Sequence, residues 1–336
     1  MTNQAEQRTL YLRAEAHGFG DACVTSVISE NSRDLPVRLV HSCQGQMAAF
    51  VRMLGQEVVQ KPDDECVDTF EAYSAYEIQT QGGRVPRVWS RALALGIYLD
   101  HLRPEDLVMP KAVISDRAKD WAKATCDEMR AFGECKAVAL WPQTVYACRE
   151  WPVGYWHDLA WGLRQRGIGA RFFLGQDEPR WHNTPGYVFG MGWEYWAALM
   201  LEADVNVAIS SGPASLAAIL RACIIVLEGP TKPTIWAHTP WVEIMQVGKD
   251  AVDCVGCHFG TPFRGACDFG CFALQALNPA QVLARVLEKL GVESHQVERS
   301  GEPSAPLRLW HWSSLGSGAL DPRTRALARP GCEGFD

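Results

Sequence analysis

Short apolar segments alternate with amphipathic ones along most of this chain, and the alternation starts twice. In the first half, strands are expected at Thr9–Arg13, Val37–Val40 and Glu57–Gln60, with helices at Ala22–Ser29 and Gln44–Leu54 between them. From Asp63 to Pro110 the pattern weakens into aromatic- and arginine-bearing sequence with one helix near Trp89–Leu99, and Ser115–Phe132 then reads as a long helix. After Gly133 the rhythm resumes, with strands at Lys136–Trp141, Ala170–Leu174, Asp204–Ile209 and Cys223–Leu227 and helices at Val153–Arg166, Glu194–Glu202 and Pro213–Arg221. Parallel strands need crossover connections, so this order predicts an α/β protein of two doubly wound, Rossmann-like domains. Ligand is expected at the carboxyl ends of the strands and in the cleft the domains face. The expected boundaries are 1–133, 134–290 and a Pro-, Ser- and Gly-rich tail, 291–336, in which Trp310 and Trp312 predict partial docking.

Composition narrows the class. With 336 residues, 47% of them hydrophobic and 21% charged, the chain has enough apolar sequence for two full cores. A formal net charge of −7 disfavours a surface built to coat nucleic acid. Arg84, Arg87, Arg91 and Arg103 form either a local basic groove or, as we expect, a solvated face. Met1–Arg8 lacks the apolar core of a secretion signal, and the longest apolar run, Ala214–Leu227, is broken by Arg221. The expectation is a cytoplasmic protein with no transmembrane segment.

Three strand-to-helix turns carry candidate chemistry. Ile209-Ser-Ser-Gly-Pro213 places Ser210, Ser211 and Gly212 at a helix start, where exposed amides and the helix dipole suit a diphosphate. Glu228-Gly-Pro-Thr-Lys232 offers close backbone approach at Gly229 and donors at Thr231 and Lys232. Both also read as ordinary caps and turns. The first turn, His17-Gly-Phe-Gly-Asp21, ends on an acid, which phosphate would repel. From the residues alone, Asp21 is either a helix cap or a group kept for proton transfer, and His17 is either part of the same cleft or a loop residue in water.

Twelve cysteines are many, and four are clustered: Cys254, Cys257, Cys267 and Cys271. The spacing suits a closed structural zinc or iron site of four thiolates. Two disulfides are disfavoured in a reducing cytosol, and four buried thiols are the remaining alternative. His258 reads as a substitute ligand or a surface histidine.

Taken in order, these motifs resemble the heptosyltransferase-like glycosyltransferases, family 9, whose fold is GT-B. The resemblance runs from about Thr9 to Gly291. Gly18-Phe-Gly-Asp21 resembles the family's Gly-Asp turn, Arg149-Glu-Trp-Pro152 with Trp156 its Lys-x-Trp-Pro…Trp segment, and Gly229-Pro-Thr231 its Gly-Pro-Thr turn; the four cysteines resemble a segment many members carry before their last helix. The resemblance implies that Asp21 is the base of an inverting transfer from a nucleotide-diphospho-sugar to a hydroxyl, with Gly18 and Gly20 lining the cleft. It also implies that Arg149 neutralises the leaving diphosphate and that Glu194 binds the ribose; by its residues alone Glu194 is equally a solvated acid on an aromatic-rich helix. No metal is implied in catalysis, while iron held by cysteines in one related group raises the case for a structural ion. Ser210 and Ser215 stand where the family has Asp and His, so heptose is not inferred, and a nucleotide-sugar-binding sensor or scaffold is the alternative. The acceptor is left open among a glycan such as lipopolysaccharide core, a protein and a modified base in DNA, so nucleic acid enters only as acceptor.

Overall fold

The structure is a computed structural model and describes residues 8–13, 18–62, 65–67, 86–99, 101–131, 133–144, 146, 149–182, 184, 186–236, 238–257, 270–292 and 307–310. Two sheets organise them. The first has the order β3-β2-β1-β4, all parallel, from Arg8–Arg13 (β1), Val37–Ser42 (β2), Val58–Val59 (β3) and Cys66–Val67 (β4). Helices Phe19–Asn31 (α1), Gly45–Met53 (α2) and Arg87–Ala94 (α3) accompany it.

The second sheet has the order β11-β10-β9-β8-β5-β6-β7. Its strands are Ala137–Trp141 (β5), Gly169–Leu174 (β6), Val188–Phe189 (β7), Val205–Ile209 (β8), Ile224–Leu227 (β9), Glu243–Val247 (β10) and Leu307–Trp310 (β11). All neighbours are parallel except β11, which from the expected tail runs antiparallel to β10. The central strands β5, β8 and β9 are buried along their whole length, which is why they read as continuous apolar runs rather than as alternating ones.

Helices close both faces of this second sheet. Asp116–Arg130 (α4), Trp193–Glu202 (α6) and Gly212–Ile219 (α7) share one core with Ala139, Trp141 and Val226. Val153–Arg164 (α5), Phe272–Gln275 (α8) and Pro279–Leu290 (α9) cover the other face, against Val138, Leu140 and Val207. The ends of α9 are set by sequence: the Asn278 side chain accepts the Ala280 N–H at 2.8 Å, Pro279 opens the helix, and Gly291 closes it at φ +66°. Arg130, at the end of α4, donates to Glu202 at 2.8 Å and Asp204 at 3.2 Å, so the long helix is docked on the C-terminal half.

The first core is continuous across the two halves. It joins Leu12, Val27 and Phe50 beside the first sheet to Trp141, Trp196 and Ala214 beside the second. Aromatic rings bridge the seam: Phe19 lies 4.0 Å and Phe50 4.8 Å from Trp193, and the row continues through Trp196 at 4.7 Å to Trp141 at 5.1 Å. Each such pair adds about 1 kcal/mol beyond its buried area, so the seam is a packed interface.

A buried imidazole lies in the N-terminal half. His41, on β2 between Leu12 and Val58, is 1% exposed, and neither ring nitrogen finds a hydrogen-bond partner among the described residues. Burial lowers its pKa to about 4 from 6.5, so the ring is neutral in the folded protein. Stability is therefore complete above pH 6.5 and falls by about 3 kcal/mol as the pH drops toward 4, because the unfolded chain binds the proton first. His41→Leu is expected to remove that acid-side slope, read from urea unfolding midpoints across pH 7 to 4.

Candidate functional site

Each sheet reverses its strand order at one place: beside β1 in the first and between β5 and β8 in the second. Loops at such a reversal diverge and open a crevice at the carboxyl ends of the strands. The turn after β1 carries Asp21, the loop after β5 carries Arg149, and the turn after β8 carries Ser210, Ser211 and Gly212. His17 lies outside the described residues.

The first and third of these turns meet. A Cβ built on Gly20 would stand 3.0 Å from the Ser215 hydroxyl and 3.8 Å from the Gly212 Cα; one built on Gly212 would stand 3.3 Å from the Phe19 Cβ. Both glycines are thus required by close approach, and the serine at 215 leaves room for it. Helix α1 begins at Phe19, three residues before the expected start, so Asp21 sits inside its first turn.

Asp21 is heavily engaged there. Its Oδ2 accepts the Gly18 N–H at 3.2 Å, so the acid does cap the helix. Its Oδ1 forms an ion pair with Arg91 of α3, whose other terminal nitrogen donates to the Asp21 carbonyl at 3.3 Å. Arg91 is 1% exposed, which corrects the expectation of a solvated face; Arg103, by contrast, is exposed and paired with Asp106. A signal for Arg91 was present in the sequence: it lies three residues after Val88 and next to Ala92, on the buried face of its helix.

On the donor side, the Arg149 guanidinium donates to the Ser210 carbonyl at 3.4 Å and stands 5.1 Å over the Tyr146 ring, bridging the loops after β5 and β8. Ser211 is the N-cap of α7, but its hydroxyl donates back to the Ile209 carbonyl at 3.1 Å and does not cap the helix. Glu194 opens α6 and accepts the Ser115 N–H at the start of α4. Hydrogen bonding from Ser115 holds the Glu194 carboxyl below its usual range, so one of its oxygens is committed to the protein.

In the turn after β9, where close approach at Gly229 and donors at Thr231 and Lys232 are expected, the buried carboxylate of Glu228 fills the space: Oε1 accepts the N–H groups of Gly229 and Thr231, each at 3.1 Å, and Oε2 accepts the Trp236 indole N–H at 3.3 Å. Thr231 is itself fully buried, so it presents no donor at the surface. An acid set directly after a four-residue apolar strand was the overlooked sign. Lys232 remains half-buried, its stem under the turn at Gly256.

The cysteine segment packs on this same turn. The Gly256 N–H donates to the Gly229 carbonyl at 3.0 Å, and a Cβ on Gly229 would stand 2.7 Å from the Cys271 sulfur. Burial, with smaller contributions from Cys254 and Cys257, pushes the Cys271 thiol up to about 12. Among the described residues no group of three His, Cys, Asp or Glu side chains is placed to hold a metal ion, and Cys267 and His258 lie outside them. The three described cysteines, Cys254, Cys257 and Cys271, do not by themselves form the expected thiolate site. Gly256 and Cys271 pack against the turn after β9.

No protein-family model and no curated protein sequence matches this chain. Solved structures do match. ADP-heptose lipopolysaccharide heptosyltransferase II of E. coli is 14% identical with a TM-score of 0.54, over 84% of this chain and 98% of that one. A family 9 glycosyltransferase of Veillonella parvula is 12% identical with a TM-score of 0.54, over 85% and 98%. The iron-containing dodecameric glycosyltransferase TibC of enterotoxigenic E. coli, solved with ADP-D-β-D-heptose, is 13% identical with a TM-score of 0.54, over 86% and 78%. The chain has the α/β GT-B fold of these heptosyltransferase-like glycosyltransferases. Among the described residues no helix is long and apolar enough to cross a membrane.

The Glu228 cradle makes a direct prediction. Glu228→Gln replaces one acceptor oxygen with a donor facing donors, at a cost of about 2 kcal/mol for a buried charged hydrogen bond. Chemical denaturation of the purified variant is expected to show that loss.

Proposed function

We propose that this chain is an inverting glycosyltransferase that moves a sugar from a nucleotide-diphospho-sugar to an acceptor hydroxyl. The observation that carries the reading is the meeting of the turn that bears Asp21 with the Ser210–Gly212 turn, a helix start suited to a diphosphate. The GT-B neighbours, one of them bound to a nucleotide sugar, support the same class of donor.

In this reading the acceptor oxygen attacks the anomeric carbon from the face opposite the diphosphate. Its proton passes to the Asp21 carboxylate, and the bond from the anomeric carbon to the diphosphate oxygen breaks with its electron pair leaving on the nucleotide. Arg149 and the first amides of α7 stabilise the charge that develops there, and Glu194 keeps one oxygen for the ribose. Lys232 adds a second cation from the next turn. These groups supply the charge compensation, so no catalytic metal is assigned. Ser210 and Ser215 in place of Asp and His leave the sugar unassigned, and a glycan, a protein side chain or a modified base in DNA all offer a suitable hydroxyl.

One observation favours a second reading, a nucleotide-sugar sensor or scaffold without turnover: both carboxylate oxygens of Asp21 already accept hydrogen bonds. Two measurements separate the possibilities. ADP, GDP and UDP are each titrated in thermal unfolding, where a ligand selective for the folded state raises the midpoint with concentration. At least one is expected to do so, and Arg149→Ala is expected to weaken it about tenfold, near 1.4 kcal/mol. Nucleoside diphosphate release from the matching nucleotide sugars then tests turnover: binding with no release favours the sensor, and no midpoint shift with any of the three overturns the donor site.

A further inference from the structure

The pairing of Asp21 with Arg91 has no counterpart in the roles assigned above. Arg91 is one of the largest fully buried side chains of the protein and lies 70 residues from its partner in sequence. A guanidinium taken wholly out of water is tolerated only when an opposite charge and further acceptors meet it. Arg91 meets both in one residue: one terminal nitrogen binds the Asp21 carboxylate and the other the Asp21 carbonyl, at 3.3 Å. Asp21 is 22% exposed by side chain while Arg91 is 1% exposed, so the pair presents its acid outward and its base inward.

The helix that carries the cation is itself held. Val88, Trp89 and Ala92 of α3 are buried around Arg91, and the Trp89 indole donates to the Leu99 carbonyl at 3.0 Å. The helix that carries the guanidinium is thus held by contacts other than Asp21. From the other side, the Gly18 N–H holds Oδ2 at 3.2 Å. A carboxylate gripped at both oxygens and at its own carbonyl has one orientation, which is what a base acting on a hydroxyl needs.

We infer that Arg91 is a positioning residue for Asp21, acting from within the N-terminal core to fix the orientation of the carboxylate in the cleft. This rests on the reading of Asp21 as the base. It also changes how that base is tested. Asp21→Ala or Asp21→Asn alone leaves a buried guanidinium without its counter-charge, so a lost activity in either variant mixes a missing base with a damaged core.

The test is a double-mutant cycle on the full-length protein: wild type, Asp21→Asn, Arg91→Met, the double variant, and Arg91→Lys as the conservative control. Each is read by its thermal midpoint and by nucleoside diphosphate release from ADP-, GDP- and UDP-hexoses, with kcat and KM separated. Arg91→Met is expected to lower kcat at least tenfold with the donor KM within twofold. Arg91→Lys is expected to recover part of that loss. In the Asp21→Asn background Arg91→Met is expected to change the rate less than twofold and to raise the thermal midpoint above that of Asp21→Asn alone.

An equal loss of kcat from Arg91→Met in both backgrounds overturns the inference, because a purely structural residue costs the same with or without Asp21. A change in KM alone also overturns it, as does a lysine variant no better than methionine. If Arg91→Met does not fold, the lysine variant and the double variant decide by the same criteria. A folded Asp21→Asn/Arg91→Met that keeps wild-type kcat, or a wild type that releases no nucleotide from any of these donors, overturns the base reading itself and the inference with it.

Discussion

Gly20 and Gly212 bring two helix starts together backbone against backbone, and the position of every candidate group follows from that contact. Each helix begins where its sheet reverses strand order, so each start already opens a crevice. Setting one against the other brings the turn that bears Asp21 against the helix start that follows Ser210 and Ser211. A side chain at either glycine would require its neighbour, the Ser215 hydroxyl or the Phe19 Cβ, to give way by a few tenths of an ångström. The rings of Phe19, Phe50 and Trp193 hold the approach in place.

The carboxylates of this region are all bound by N–H groups of the protein. Asp21 takes an arginine and a backbone amide, Glu194 takes the amide of Ser115, and Glu228 takes two amides and an indole. That arrangement commits the Gly229 and Thr231 amides of the turn after β9 to the Glu228 carboxylate. Gly256 and Cys271 pack against that same turn at Gly229.

Much of the fold was legible because its strands and helices obey their own periods. β1, β2, β5, β6, β8 and β9 lie close to where apolar runs placed them, and α9 has both ends marked in the sequence by Asn278, Pro279 and Gly291. β10 escaped because Glu243 and Gln246 interrupt its apolar pattern. Both are buried, Glu243 against Arg285 and Lys289 and Gln246 against the carbonyls of Gly229 and Thr231, partners that no local pattern reveals. β4 and β7 are two residues each, too short for any alternation. Of the site, the turns were legible and the contacts between them were not. The burial of Arg91 and Glu228 leaves a trace in the sequence, but their partners, Asp21 and the amides of Gly229 and Thr231, are set only once α3 packs on α1 and the turn closes.

The aromatic row across the seam gives the protein an internal optical reporter. Trp193 touches Phe19 and Phe50 on one side and stands 4.7 Å from Trp196 on the other. Indoles that close couple their electronic transitions, so their near-ultraviolet circular dichroism registers any change in their mutual angle. Trp151, Trp156 and Trp181 belong to the other core, away from the seam, and supply a constant background. A ligand that spreads or tightens the two halves therefore announces itself without a label, in the spectrum of the residues that hold them together.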